Sequence, residues 1–250
     1  MNTGTLQRFT GKKSGYIQLG FENANRTPSF IFNNLSNFYL LHTPVDFKKE
    51  NSTHFFGSLY LPFAKLRLAG SYYLMTNYSY VSSYYKLEQQ EALFNVLQLT
   101  AQKTFKIGRR WYWHADLYFQ QVIGNAPVNL PQVYTRNRFA YEGNLGFKNL
   151  DIAMGAELRY HTPYNADGYS PALGQFYYQD SLRIAEKLPD IAAYIQFRIK
   201  GVKIYFRAEN LNTMEFQGRN FGFTNNNLAA PGYPYPGFVI RLGVFWSFVN

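Results

Sequence analysis

The chain has no cysteine and four histidines, His42, His54, His114 and His161. None of the histidines stands in the HExxH or HxxxH arrangement that would hold zinc on a helix. His114 lies two residues before Asp116, and Glu157, Arg159 and His161 follow one another at the same interval. In a strand that interval puts side chains on one face, so each set converges on a common surface. The economical use of such a set is a hydrogen-bonded or ionic network, because enclosed polar groups need partners. Serine hydrolysis would require Ser71 or Ser247 beside His114 and a third group to orient the base, and no motif brings them together. Lys12, Lys13 and Gly15 do not make a phosphate-binding loop, and there is no dinucleotide fingerprint, calcium loop or CxxC pair. Enzymatic activity, a metal and a cofactor are therefore not expected.

The same interval of two organises the charges. Arg67, Asp116, Glu157, Arg159, Arg198, Lys203, Arg207, Glu209 and Arg241, with Glu142 and Asp151 as further partners, alternate with apolar neighbours. In FVIRLGVFWSF, residues Phe238, Ile240, Leu242, Val244, Trp246 and Phe248 form an unbroken apolar series around Arg241. Upstream, Ile191 to Ile199 and Val202 to Ala208 repeat the pattern on either side of Lys200 and Gly201. Charge on one face and apolar character on the other, over long successive strands, suits a transmembrane β-barrel with a polar lumen and a lipid-facing exterior. The nine charged residues named first are the expected pore lining. Their basic excess favours anions modestly; in the bland reading they only pair and seal the wall.

Period-two alternation predicts strands near 12–21, 30–42, 53–61, 65–80, 92–105, 110–122, 135–147, 150–162, 190–199, 202–210 and 238–249. The alternation is faint in 12–21 and 30–42. An amphipathic helix over Glu88–Leu99 competes with a strand, because Leu93, Val96, Leu97 and Leu99 also make a helical stripe. Tight connections at 62–63, 108–109, 148–149 and 200–201 alternate with long ones near 43–52, 81–91, 123–134, 163–189 and 211–237. Short periplasmic turns opposite long extracellular loops are the outer-membrane pattern, which puts the C-terminus on the periplasmic side. Trp111, Trp113, Trp246 and Phe248 fall near inferred periplasmic strand ends and suit an interfacial girdle. In the stiff PGYPYPG loop, Tyr233 and Tyr235 are placed either to stack on sugar or peptide or to pack over the barrel mouth.

The composition agrees with a sheet. Among 250 residues are 22 Tyr and 23 Phe and only 16% charged side chains, an aromatic density that fits interfacial belts rather than a disulfide-stapled domain. The mean hydropathy of −0.31 averages over alternating strands and so carries no evidence against membrane insertion. No run of 18 apolar residues is present, which excludes spanning helices but not spanning strands. The net charge of +10 is dispersed, with only Lys12-Lys13, Lys48-Lys49 and Arg109-Arg110 adjacent, so no nucleic-acid stripe is expected. The N-terminal MNTGTLQRFTGKKSG lacks the apolar core of a signal peptide. Bacterial barrels normally have even strand numbers, whereas eleven are predicted. One β-barrel domain over residues 1–250, incomplete on its N-terminal side, is the resulting expectation.

LPDIAAYIQFRIKGVKIYFRAENLN (Leu188–Asn212), PGYPYPGF (Pro231–Phe238) and the closing RLGVFWSFVN resemble the putative porin family of the Bacteroidota outer membrane. The resemblance implies an all-β fold, an antiparallel transmembrane β-barrel or the C-terminal segment of a larger one. With the charged lining, the expected function is passive diffusion of small polar or anionic solutes in the bacterial outer membrane, with lipid and other outer-membrane proteins as partners. The alternative is a non-conducting scaffold or a component of an outer-membrane secretion or uptake complex. A second alternative is a soluble β-sandwich that binds carbohydrate, which would have to bury Phe238 through Phe248 under another sheet.

Overall fold

In a computed structural model, the structure describes residues 1–10, 15–32, 46–84, 86–185, 189–215, 222–223 and 227–247. Eleven strands pair in chain order as one antiparallel meander. They are β1 (Asn2–Thr10), β2 (Gly15–Arg26), β3 (Glu50–Leu61), β4 (Leu66–Thr76), β5 (Phe94–Ile107), β6 (Trp111–Ile123), β7 (Val133–Gly143), β8 (Asp151–His161), β9 (Asp190–Ile199), β10 (Val202–Glu209) and β11 (Val239–Trp246). The longest, β5, has 14 residues and the shortest, β10 and β11, have 8 each, lengths that bracket the roughly 9–11 residues a tilted strand needs to cross a bilayer.

One end of the sheet carries tight turns. Pro62–Ala64 makes a single 3-10 turn, closed by the Lys65 N–H donating to the Pro62 carbonyl at 3.1 Å. Lys200 takes φ 50° in the two-residue link between β9 and β10. At the other end, the long connections fold into small hairpins of their own, such as Tyr78–Ser83 with Lys86–Gln90 and Gly168–Ser170 with Gln175–Tyr177.

Register carries the sequence alternation across the whole sheet. Thr104, His114, Arg138, Glu157 and Ala192 stand opposite one another on five successive strands. Phe139, Ala156, Ala193, Ala208 and Ile240 do the same on the other face. Exposure is inverted relative to a water-soluble protein: Leu242 is 61% and Val244 62% exposed, while Glu157 is 2% exposed. An apolar face left open in this way is stable only when hydrocarbon covers it. On the polar face, some aromatic rings lie flat over a glycine on the next strand. A Cβ at Gly20 would come within 2.0 Å of the Phe56 ring, and one at Gly243 within 2.1 Å of Tyr205, so these close approaches require glycine.

The expected number of strands is found, but the set differs. Asn2–Thr10 is a strand, although its residues show no clean alternation. Phe30–Phe32 is a 3-10 turn rather than part of a strand over 30–42, whose remainder lies outside the described residues. The Glu88–Leu99 helix is replaced by strands Lys86–Gln90 and Phe94–Ile107, because the register of β5 puts Leu97 and Leu99 on the apolar face opposite Tyr72 and Gly70. The sandwich alternative fails as well. One continuous sheet holds all the long strands, and none of the described residues covers the apolar face of β11.

Candidate functional site

The polar face holds two linked groups of charges. Near its middle, the buried carboxylate of Glu157 is the hub. Its Oε2 accepts from Arg136 Nε at 3.0 Å and from Arg136 Nη2, and its Oε1 accepts from Arg207 Nη2 at 2.9 Å. Arg159 Nε lies 3.5 Å from the same Oε1. Arg207 Nε also donates to Glu209 at 2.8 Å, and Arg241 Nε donates to the other Glu209 oxygen at 2.8 Å. Four guanidinium groups thus share two carboxylates across β7, β8, β10 and β11, and the surplus charge stays on the wall.

Toward the short-turn end, a recess of about 750 Å³ opens across β3 to β7. Lys65, Arg67, Lys103, Arg136 and Arg138 line it against Asp116 and Glu142, five cations to two carboxylates. Arg138 stands directly between His114 and Glu157 in register, yet its Nε is buried without an acceptor. His114 is oriented by its Nδ1 contact with Thr104 Oγ1 at 3.0 Å, and its Nε2 is likewise unpaired. No serine hydroxyl is seen beside it, and no cluster of metal-ligating residues occurs among the described residues.

All nine expected lining residues lie on the polar face, but they do not form one cluster. Glu157, Arg159, Arg207, Glu209 and Arg241 belong to the network, and Arg67 and Asp116 belong to the recess. Arg198 and Lys203 sit at the short-turn rim, where Arg198 lies 3.5 Å from Asp151 and the Lys203 ammonium is 5.9 Å from the Phe245 ring centre. Lys65, Lys103, Arg136 and Arg138 were not among the expected lining. The period-two run Arg136, Arg138, Glu142 was available in the sequence as the signal for the two arginines.

The girdle residues Trp111, Trp113 and Trp246 are on the apolar face at the short-turn end. Trp113 stacks between Phe105 and Phe139, with ring centres 4.7 and 5.5 Å away, and its indole N–H donates to Asn137 at 3.1 Å. Phe248 lies outside the described residues. Tyr233 meets Tyr169 edge-on at 5.4 Å, and the Tyr235 N–H donates to the Asn227 carbonyl at 3.2 Å. The Tyr233 ring and the Tyr235 backbone thus take part in loop packing.

That packing is general at the loop end. Lys48 pairs with Glu91 at 2.7 Å, and Gln90 donates to the Asn125 carbonyl at 2.7 Å. Asn129 donates to Asp167 at 2.8 Å, and the Tyr178 N–H donates to the Val81 carbonyl at 2.7 Å. With the Tyr169–Tyr233 contact, these join all five long connections, so the loops bridge strands far apart in the sheet. Tyr80 donates to Glu88 at 2.8 Å, and burial together with that bond pushes its hydroxyl up to about 12.

The family model described as "Putative porin" matches residues 2–250, and no curated protein matches the chain. Among solved structures, the chain is similar to the copper transporter OprC, with TM-score 0.67 and 16% identity over 98% of this chain and 38% of that one. It is also similar to the FrpB iron transporter from Neisseria meningitidis, with TM-score 0.61 and 12% identity over 98% and 38%. A mutant of the ferric enterobactin receptor PfeA from Pseudomonas aeruginosa gives TM-score 0.60 and 12% identity over 98% and 39%. The fold is thus that of outer-membrane β-barrel transporters, and the chain spans well under half the length of these relatives.

Proposed function

We propose, for a chain that belongs to the family described as "Putative porin", that its eleven strands form part of an outer-membrane barrel for solute uptake. Solute meets an organised layer of loops before it reaches a basic inner wall, and passage involves no covalent step. The observation that carries this reading is the mutual bonding of all five long connections over the end of the sheet. A free diffusion channel has no need of loops tied to one another. The likeness to chains named for copper and iron transport and for ferric enterobactin reception supports the same reading. So does the cross-linking of the wall through Glu157 and Glu209.

The strand count bears on assembly. In an antiparallel meander β1 and β11 run in the same direction, so direct closure between them would be parallel. An antiparallel barrel therefore needs an odd number of further strands, and both edges need partners in lipid. Long loops outward and short turns toward the periplasm complete the arrangement.

Planar-bilayer recording on the full-length protein tests the proposal. Verified insertion without a standing open conductance is the expected result. Stable discrete conductance with anion preference would overturn it in favour of passive diffusion of small polar or anionic solutes. One observation favours that second reading, the five cations facing two carboxylates in the recess.

A further inference from the structure

A separate cavity of about 380 Å³ lies at the seam of four long connections. Its volume falls in the range of small-molecule sites. Five aromatic side chains are part of its lining. Tyr78 and Tyr80 stand parallel, with ring centres 6.4 Å apart and planes 8° apart, and Tyr178 meets Tyr80 edge-on at 6.0 Å. Phe32 and Phe176 complete the aromatic part of the lining.

Three charged residues reach the cavity: Arg26, Glu50 and Asp167. Arg26 Nε donates to Glu50 at 3.0 Å, and the Ser79 N–H donates to the second Glu50 oxygen at 3.1 Å, so this pair is neutral and satisfied. Asp167 accepts only from Asn129 and has no cationic partner among the described residues. Burial holds the Asp167 carboxyl above its ordinary range, and burial and then the Asp167 charge raise the Tyr78 hydroxyl. In a chain of net charge +10, the cavity is locally negative. Tyrosine faces carry negative potential of their own. A carboxylate without a counterion beside such faces lacks a positive charge, which a ligand can supply.

We propose that this cavity binds the ammonium or guanidinium head of a small organic cation, with Asp167 as its ion-pair partner and the rings of Tyr78 and Tyr80 as cation–π walls. An anion would face Asp167, and a neutral sugar would leave its charge uncompensated. The site prefers the opposite charge to the inner wall. It stands whether or not solute then passes along that wall, because binding is an equilibrium property of the loops.

Isothermal titration of the full-length protein in detergent micelles at low salt, with agmatine as probe and benzoate and galactose as controls, decides the matter. The expected result is saturable agmatine binding, weakened about tenfold by Asp167→Asn and about threefold by Tyr80→Leu, with neither control bound. Asp167→Asn keeps an oxygen for Asn129, so the loop contact survives. Phe176→Leu, at a position 60% exposed, gives a second reading of the aromatic wall if Tyr80→Leu disturbs the hairpin. No saturable agmatine binding, equal binding of galactose or benzoate, or unchanged affinity in Asp167→Asn would overturn the proposal.

Discussion

Replacing Glu157 with alanine removes the one group that holds three arginines together. Its carboxylate is 2% exposed and is shared by Arg136, Arg159 and Arg207. Removing one partner of a buried ion pair costs about 3–5 kcal/mol, because the remaining charge stays where it was. The three arginine side chains here are 44%, 35% and 24% exposed, so lumen water offsets part of that loss. The lower bound applies, about 3 kcal/mol, or roughly a hundredfold in the folding equilibrium. Glu157→Gln keeps an amide oxygen for one arginine and should lose about half as much. Urea unfolding of the full-length protein in lipid vesicles, followed by tryptophan fluorescence, measures both variants. If Glu157→Ala unfolds at the same urea concentration as the unaltered protein, the wall is not held by this network and the reasoning is refuted.

Leu242→Lys puts a charge on the lipid face and should cost about 2–4 kcal/mol near the bilayer midplane, whereas Arg241→Ser, one residue away on the polar face, should insert normally. Equal failure of both in vesicle-insertion assays would sink the assignment of faces. Arg67→Gln with Arg138→Gln cuts the recess from five cations to three against two carboxylates and should weaken inorganic phosphate binding about tenfold; unchanged affinity would separate the recess from anion selection. Asp167 has a raised carboxyl, so its contribution to loop stability is present below its ordinary value of 3.8 and is lost as pH rises through the raised value. Asp167→Asn should therefore slow hydrogen exchange at the Tyr178 amide near pH 7 and leave it unchanged near pH 3. Glu88 has the opposite sign, since the ion pair with Lys86 and the Tyr80 hydroxyl hold its carboxyl low. Its contribution is present above its ordinary value of 4.5 and is lost as pH falls, so Glu88→Gln should loosen the Tyr78–Gln90 hairpin at pH 7 but not at pH 3.

What could be read in the sequence depended on contrast between the two faces. From Asp190 to Trp246, one face is wholly apolar and the other repeatedly charged, so the period of two defines both strands and faces without any knowledge of partners. Strand β7 fails that test. Its apolar side carries Thr135 and Asn137, and Asn137 is tolerated there because the Trp113 indole on the neighbouring strand donates to it. A polar residue satisfied across strands erases the local contrast, so Arg136 and Arg138 did not stand out although they complete both charge groups. In β1, Leu6 and Phe9 fall on opposite faces and Arg8 shares the outer one, so the strand is recognisable only through its pairing with β2.

The loop cavity lies further beyond local reading. Tyr80 and Asp167 belong to different connections and meet only because the sheet brings those connections to one end. No period or motif joins them. The nearest sequence signal was aromatic density, which the girdle already explains. The loop aromatics and the girdle aromatics are the same residue types under opposite constraints. Trp111 and Trp246 need lipid on one side, while Tyr78 and Tyr80 are fixed against each other in a cavity shared with Asp167. Composition cannot separate these roles, because it records what the side chains are and not which charge is left beside them. That residual charge makes the cavity a candidate for cations in a protein whose wall carries a surplus of positive charge.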